Sequence, residues 1–202
     1  ALSDYANQAG YIAEYPEDIE MVGLTFSTAT MRTGTLLSAE ASHHRDYPVQ
    51  LALGDVFGAI LSPVEFDSRY ANNAIGVFGP VERIRGYTRL DRTQAAFSAL
   101  QILPGLLGAS QIFVGIDGAV IHFHDYPGDN DVQLQAYQGG DETSWGYRVS
   151  GVMQYTSVFG GLNLSPSVAF IHDVSGDTPA PLSSFKEDRK AVVLSLGASY
   201  IN

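Results

Sequence analysis

The chain has 202 residues, 45% of them hydrophobic and 16% charged, with no cysteine and a formal net charge of −11. The missing cysteines exclude a disulfide framework and any thiolate nucleophile or metal site, and the acidic balance, with no Lys/Arg cluster, argues against a nucleic-acid partner. Mean hydropathy is +0.02, and no apolar run reaches the roughly 20 residues of a membrane-spanning helix; that test does not reach β-barrels, whose strands are only half apolar.

Residues up to Glu20 are polar and acidic without a sustained period and read as loop. A strand is expected from Met21 to about Thr30, because Val22, Leu24 and Phe26 oppose Gly23, Thr25 and Ser27 with a period of two. Met31 to Gly34 reads as a tight turn into a second strand reaching about His44, with Leu37, Ala39 and Ala41 against Ser38, Glu40 and Ser42. Residues 45–86 lose the pattern and read as one long loop, in which Val49 to Leu61 has the composition of a short helix weakened by Gly54 and Gly58. A strand returns from about Tyr87 to Leu103, its faces ambiguous, and Pro104 and Gly105 end it. After a short connection, Ile112, Val114, Ile116 and Val120 alternate with Gln111, Gly115 and Asp117.

A polar loop from His122 to Thr143 leads to a hairpin with the clearest alternation in the chain. Trp145, Tyr147, Val149, Met153 and Tyr155, and on the return Val168, Phe170 and His172, share one face; Arg148, Ser150, Ser165, Ser167 and Asp173 share the other. A proline-rich loop from Val174 to Ser184 precedes a last strand expected from about Phe185, with Val192, Leu194 and Leu196 opposing Glu187, Arg189 and Ser195.

The connections run short, very long, short, long, short, long, so every long loop falls at one end of the sheet. Outer-membrane barrels sort their loops this way, with brief periplasmic turns and extended extracellular loops; a Greek-key sandwich has no reason to. The expected fold is therefore an all-β antiparallel transmembrane barrel, about six strands of a larger barrel, since barrels of this class begin at about eight strands and the run SLGASYIN ends with its pattern unfinished. On this reading Tyr147, Val149, Met153, Tyr155, Val168, Phe170, Val192, Leu194 and Leu196 face lipid. Glu40, Asp117, Arg148, Asp173, Glu187 and Arg189 face the lumen, the last four as a charged belt inside the extracellular mouth that braces the wall or sets what passes.

Metal and hydrolase chemistry are the weaker readings. His122 and His124 are two apart on one strand face, as a pair of zinc or copper ligands requires, but spacing fixes no third ligand; His43 and His44 point to opposite faces. Loop acids Asp125, Asp129, Asp131, Asp141 and Glu142 have calcium-compatible oxygens without EF-hand spacing. A serine hydrolase needs a serine beside an oriented histidine, and no nucleophile elbow is present.

The segments SWGYR (Ser144 to Arg148), HDVSG (His172 to Gly176) followed by Pro179, FKEDRKAV (Phe185 to Val192) and GYTRLDRTQAAFSALQILPGLLGASQ from Gly86 resemble a family of Gram-negative outer-membrane proteins catalogued as domain of unknown function 1302. The resemblance implies a large barrel in the bacterial outer membrane, in contact with its lipids and lipopolysaccharide. It also implies a genomic setting near lipid-exporter-like pumps and a periplasmic lipoprotein, and transport of hydrophobic compounds. It carries over no catalytic residue and no cofactor. The expected function is a channel or transporter-like barrel for hydrophobic or amphipathic small molecules, with a structural or lipoprotein-binding barrel as the alternative and an outer-membrane hydrolase third.

Overall fold

The computed structural model describes residues 10–62, 73–79, 82–129, 131–136 and 139–200. Seven antiparallel strands form one sheet in chain order: β1 (Glu20–Ala29), β2 (Leu36–Gln50), β3 (Tyr87–Pro104), β4 (Gln111–Phe123), β5 (Thr143–Gln154), β6 (Leu162–Ser175) and β7 (Lys190–Tyr200), with one helix, α1 (Leu53–Leu61), after β2. The expected count of about six is thus one short, because six connections join seven strands. No described helix is long and apolar enough to cross a membrane. The sheet does not close, and β1 and β7 are its edges.

Register settles the faces, because residues paired across an antiparallel ladder project to the same side. Phe26 pairs with Ala39, Ala39 with Phe97, Phe97 with Gly118, Gly118 with Tyr147 and Tyr147 with His172. The rung beside it joins Leu37, Ala99, Ile116, Val149, Phe170 and Val192. Along the first rung, from Phe26 to Tyr147, large rings alternate with small side chains; the Phe97 ring covers Gly118 so closely that a Cβ there would strike it. The opposite face joins Thr25, Glu40, Ala96, Ala119 and Gly146 in one rung and Ser38, Ser98, Asp117, Arg148 and Ile171 in the next. This also resolves β3: Ala95, Phe97 and Ala99 lie on the apolar face, Gln94, Ala96 and Ser98 on the polar one.

The connections 30–35, 105–110 and 155–161 lie at one end of the sheet, and 51–86, 124–142 and 176–189 at the other. The strand ends differ from expectation where the backbone bulges or turns. β2 continues past His44 through a register shift between His44 and Tyr47, with Asp46 at φ 54, so the long connection starts at 51 rather than 45. Of the expected helical stretch Val49 to Leu61, α1 covers the last nine residues, and Val49 and Gln50 belong to β2. β7 begins at Lys190, not Phe185, because Thr178 N donates to Phe185 O at 3.0 Å and Arg189 N to Lys186 O at 3.1 Å, bending that segment across the sheet. β5 ends at Gln154, and Tyr155 makes an isolated bridge to Leu164 that keeps it on the apolar face.

The long connections are tied together over their end of the polar face. Gln50 N donates to Ala180 O, Ala180 N to Gln135 O and Gln135 N to Gln50 O, at 3.0, 2.7 and 2.7 Å. Beneath this ring of bonds lies the main buried cluster, Val49, Leu51, Ile121, Phe123 and Leu134, against which Tyr47, Leu182 and Phe185 pack. The core thus caps one end of the sheet rather than backing its apolar face.

Two glycines separate conformational cost from steric cost. Gly34 (φ +68) has open space where a Cβ would go, whereas a Cβ on Gly176 (φ +82) would overlap the Thr143 carbonyl oxygen and crowd Ser144. Gly34→Ala should cost about 1–2 kcal/mol for the left-handed backbone, and Gly176→Ala a further 1–3 kcal/mol, roughly, for overpacking. Urea unfolding followed by circular dichroism measures both; equal losses would mean that the 176–189 connection relaxes away from β5.

Candidate functional site

The polar face is concave. Residues from β1 to β6 and from the 176–189 connection line a trough of about 660 Å³. Its floor is built from small side chains, with Ala96, Ala119 and Gly146 in one rung and the hydroxyls of Ser27, Ser38 and Ser98 beside them. Ser38 Oγ and Ser98 Oγ share a 2.7 Å hydrogen bond.

Of the six charges expected on this side, five line the trough: Glu40, Asp117, Arg148, Asp173 and Arg189. Arg148 grips Asp117 Oδ2 from Nε at 3.0 Å and from Nη2 at 2.9 Å. Both side chains are about half exposed, so the pair contributes at most about 1 kcal/mol. Asp173 is nearly fully buried; its Oδ2 accepts from Arg189 Nη2 at 2.6 Å and from the Lys186 backbone N at 3.1 Å. Arg189 reaches the trough from the connection rather than from β7. Glu187 does not reach it: Glu187 Oε2 accepts from Gly176 N at 3.0 Å, and its own N donates to Asp177 Oδ1 at 2.8 Å. The expected belt is therefore Arg148 with Asp117 and Arg189 with Asp173, with Glu187 a turn residue.

All nine residues expected to face lipid lie on the apolar face. Across β5 and β6 Val149 pairs with Phe170, Tyr147 with His172 and Val168 with Gly151, and Val192, Leu194 and Leu196 continue the face onto β7. Met153 pairs with Ile112 on the same face. Tyr155 donates to Leu107 O at 3.4 Å beside the short turns. Charges on this face keep to its loop end, where Glu20 stands 3.6 Å from Arg45 and Lys190 stands opposite His172.

The histidine pair is part of a larger cluster. The His122 and His124 rings meet edge to face at 4.7 Å, and His43 joins His124 at 5.6 Å. Thr93 Oγ1 sits between His43 Nδ1 at 3.0 Å and His124 Nε2 at 2.8 Å. Among the described residues no group of three His, Cys, Asp or Glu is placed to hold a metal ion. Elsewhere His122 bonds Thr143, His172 bonds Tyr147 and His44 bonds Arg92. No histidine bonds a serine among the described residues.

Sequence reasoning missed Arg92, which is 4% exposed on the polar face beneath the loops. Its guanidinium stacks 4.1 Å from the Tyr47 ring centre and Nη2 donates to His44 Nδ1 at 3.1 Å. A desolvated cation on an aromatic face gains about 2 kcal/mol. Only the strand register, which pairs Arg92 with Phe123, reveals that it points under the cap. In the same cap Tyr126 has its phenol pushed up to about 12 by burial and by the Asp141 carboxylate, so it stays a neutral donor to Gly139 O.

These features define an all-β protein whose single antiparallel sheet has one apolar face, one polar trough and a cap at one end. The family described as "Protein of unknown function (DUF1302)" matches residues 2–202, and the chain belongs to it. No curated protein and no solved structure gives a significant match.

The two ion pairs should differ in worth. Asp173→Ala leaves a guanidinium and a backbone N–H without their acceptor and should cost about 2–3 kcal/mol, with faster proteolysis around Ser183 to Lys186. Asp117→Ala should cost no more than about 1 kcal/mol and leave the digestion pattern unchanged. Thermal melting and a trypsin time course read both.

Proposed function

We propose that this chain forms part of the wall of a bacterial outer-membrane β-barrel, and that the barrel is a channel or transporter-like pathway for hydrophobic or amphipathic small molecules. The observation that carries the reading is the apolar face. Most of it stays uncovered: Leu24 and Leu194 are each 76% exposed, Leu196 70% and Phe26 60%, and Val149 and Val168 are also exposed. A continuous apolar surface of this extent on a folded sheet marks contact with a membrane or a partner. The shortest strand has 10 residues, enough for a tilted strand to cross the hydrocarbon core. The sorting of short and long connections to opposite ends supports the same assignment.

On this reading the apolar face contacts outer-membrane lipids, and the charged and histidine-rich loop end meets lipopolysaccharide headgroups. The polar trough is one side of the lumen. Nucleic acid is disfavoured as a partner by the net charge of −11. A structural barrel that binds a periplasmic lipoprotein is the second reading, and the paired charges of the trough favour it, since Asp117–Arg148 and Asp173–Arg189 brace neighbouring elements.

Arginine substitution tests the membrane assignment. Val149→Arg and Leu194→Arg in the full-length protein should each destabilise by about 2–4 kcal/mol near the midplane, while Ser150→Arg and Ser195→Arg on the polar face should be mild; equal costs would show both faces buried against protein. A cysteine label applied to intact cells should reach positions in 51–86, 124–142 and 176–189 and spare 30–35 and 155–161. Labelling of both sets would overturn the topology.

A further inference from the structure

Four of the five charges lining the trough are paired and one is not. Asp117 is held by Arg148 and Asp173 by Arg189, whereas Glu40 has neither ion pair nor hydrogen bond among the described residues. Its cross-strand neighbours are Thr25 and Ala96, and the small rung Ala96, Ala119 and Gly146 runs from it across the floor. The free carboxylate therefore faces an open trough of about 660 Å³. The floor offers methyl groups and hydroxyls but no second free charge. What complements it is a molecule with one positive charge and an apolar remainder.

The approach to the trough carries the same sign. Among the described residues the connections 51–86, 124–142 and 176–189 hold ten carboxylates against four Lys and Arg, and 124–142 holds five carboxylates with no basic residue. The three short connections carry a single charge, Arg32. Charge of one sign gathered at one mouth raises the local concentration of the opposite ion and repels its own. An anionic amphiphile would meet this repulsion first and an uncompensated Glu40 afterwards.

We propose that the trough takes amphipathic molecules bearing a single positive charge, an amine or quaternary ammonium group, with Glu40 as the counter-charge and the acidic loops as the steering field. This rests on the pathway reading above and names the class of solute. The two parts respond differently to salt: exposed loop charges act through a field that fades beyond about 3 Å at 1 M salt, whereas a direct contact with Glu40 is screened much less.

Single-channel recording of the full-length protein in a neutral-lipid bilayer tests the proposal, with hexyltrimethylammonium and hexanesulfonate as the probe blockers. The expected result is cation-selective current, blocked by hexyltrimethylammonium at a concentration at least about tenfold below that for hexanesulfonate, the attraction of opposite charges in one case and the repulsion of like charges in the other corresponding to about that factor. Glu40→Gln should remove most of this difference at both 0.1 M and 1 M salt, and Glu40→Asp should retain it. Replacing Asp125, Asp129 and Asp131 by Asn should weaken selectivity at 0.1 M salt alone. Current with equal block by the two probes, or block unchanged in Glu40→Gln, would overturn the assignment while leaving the pathway standing. Absence of current from correctly inserted protein would overturn the pathway itself and this inference with it.

Discussion

The structure depends on a register that never slips by an odd number of residues across the middle of the sheet. A one-residue slip between two strands would turn every side chain of one strand to the other face. In this sheet it would put Asp117 or Arg148 among Phe97, Val149 and Phe170. The chain does contain two irregularities, between His44 and Tyr47 on β2 and opposite Trp145/Gly146 on β6. Both lie at the loop end, beyond the rungs of aliphatic and aromatic side chains. Bulges there re-aim residues under the cap, placing Tyr47 against Arg92 and releasing Val174 from pairing, without disturbing the apolar face below them.

The same end explains why the family-like segments are conspicuous in the sequence. SWGYR, HDVSG and FKEDR are distant along the chain, but they meet as one knot. A Cβ on Gly146 would come within 2.7 Å of His172 O and 3.1 Å of Phe185. Ser144 Oγ bonds Thr178 Oγ1 at 2.7 Å, and Glu187 accepts from Gly176 N. Asp173 gathers Arg189 and Lys186. Each residue type follows from its contact: glycine where another backbone passes, a carboxylate where a backbone N–H and a guanidinium converge, and a small hydroxyl where two buried donors and acceptors satisfy each other. The knot fixes the 176–189 connection over the trough, and through Arg189 it contributes one wall of it.

Much of this was legible in the sequence because the governing signal is local. A period of two needs only the strand's own residues, so the strands and both faces of the 144–173 hairpin could be read directly, as could the loop asymmetry. Contacts between distant segments could not. The extension of β2 hangs on Asp46 adopting a positive φ, and the late start of β7 hangs on Asp173 and Asp177 capturing the backbone of Lys186 and Glu187. Alternation through 187 and 189 imitates a strand, but those residues belong to a turn. His43 joins His122 and His124 only because β2, β3 and β4 are aligned with Thr93 between them, and Arg92 is indistinguishable in sequence from an arginine facing the lumen.

Strand parity constrains how a barrel containing this sheet is closed. Seven successive antiparallel strands leave β1 and β7 running in the same direction. Joining them directly would make a parallel seam, with slanted and slightly weaker pairing; an all-antiparallel closure takes an odd number of further strands between them. The edges cannot stay open in lipid, because each unpaired N–H or C=O in the hydrocarbon region costs several kcal/mol and β7 alone has 11 residues. Two copies of this sheet joined edge to edge around a common axis would repeat the parallel seam twice. On the barrel reading, therefore, the edges of β1 and β7 are completed by strands from outside residues 20–200, and the unpaired Glu40, which stands on β2 one strand in from an edge, faces a lumen whose opposite wall those strands supply.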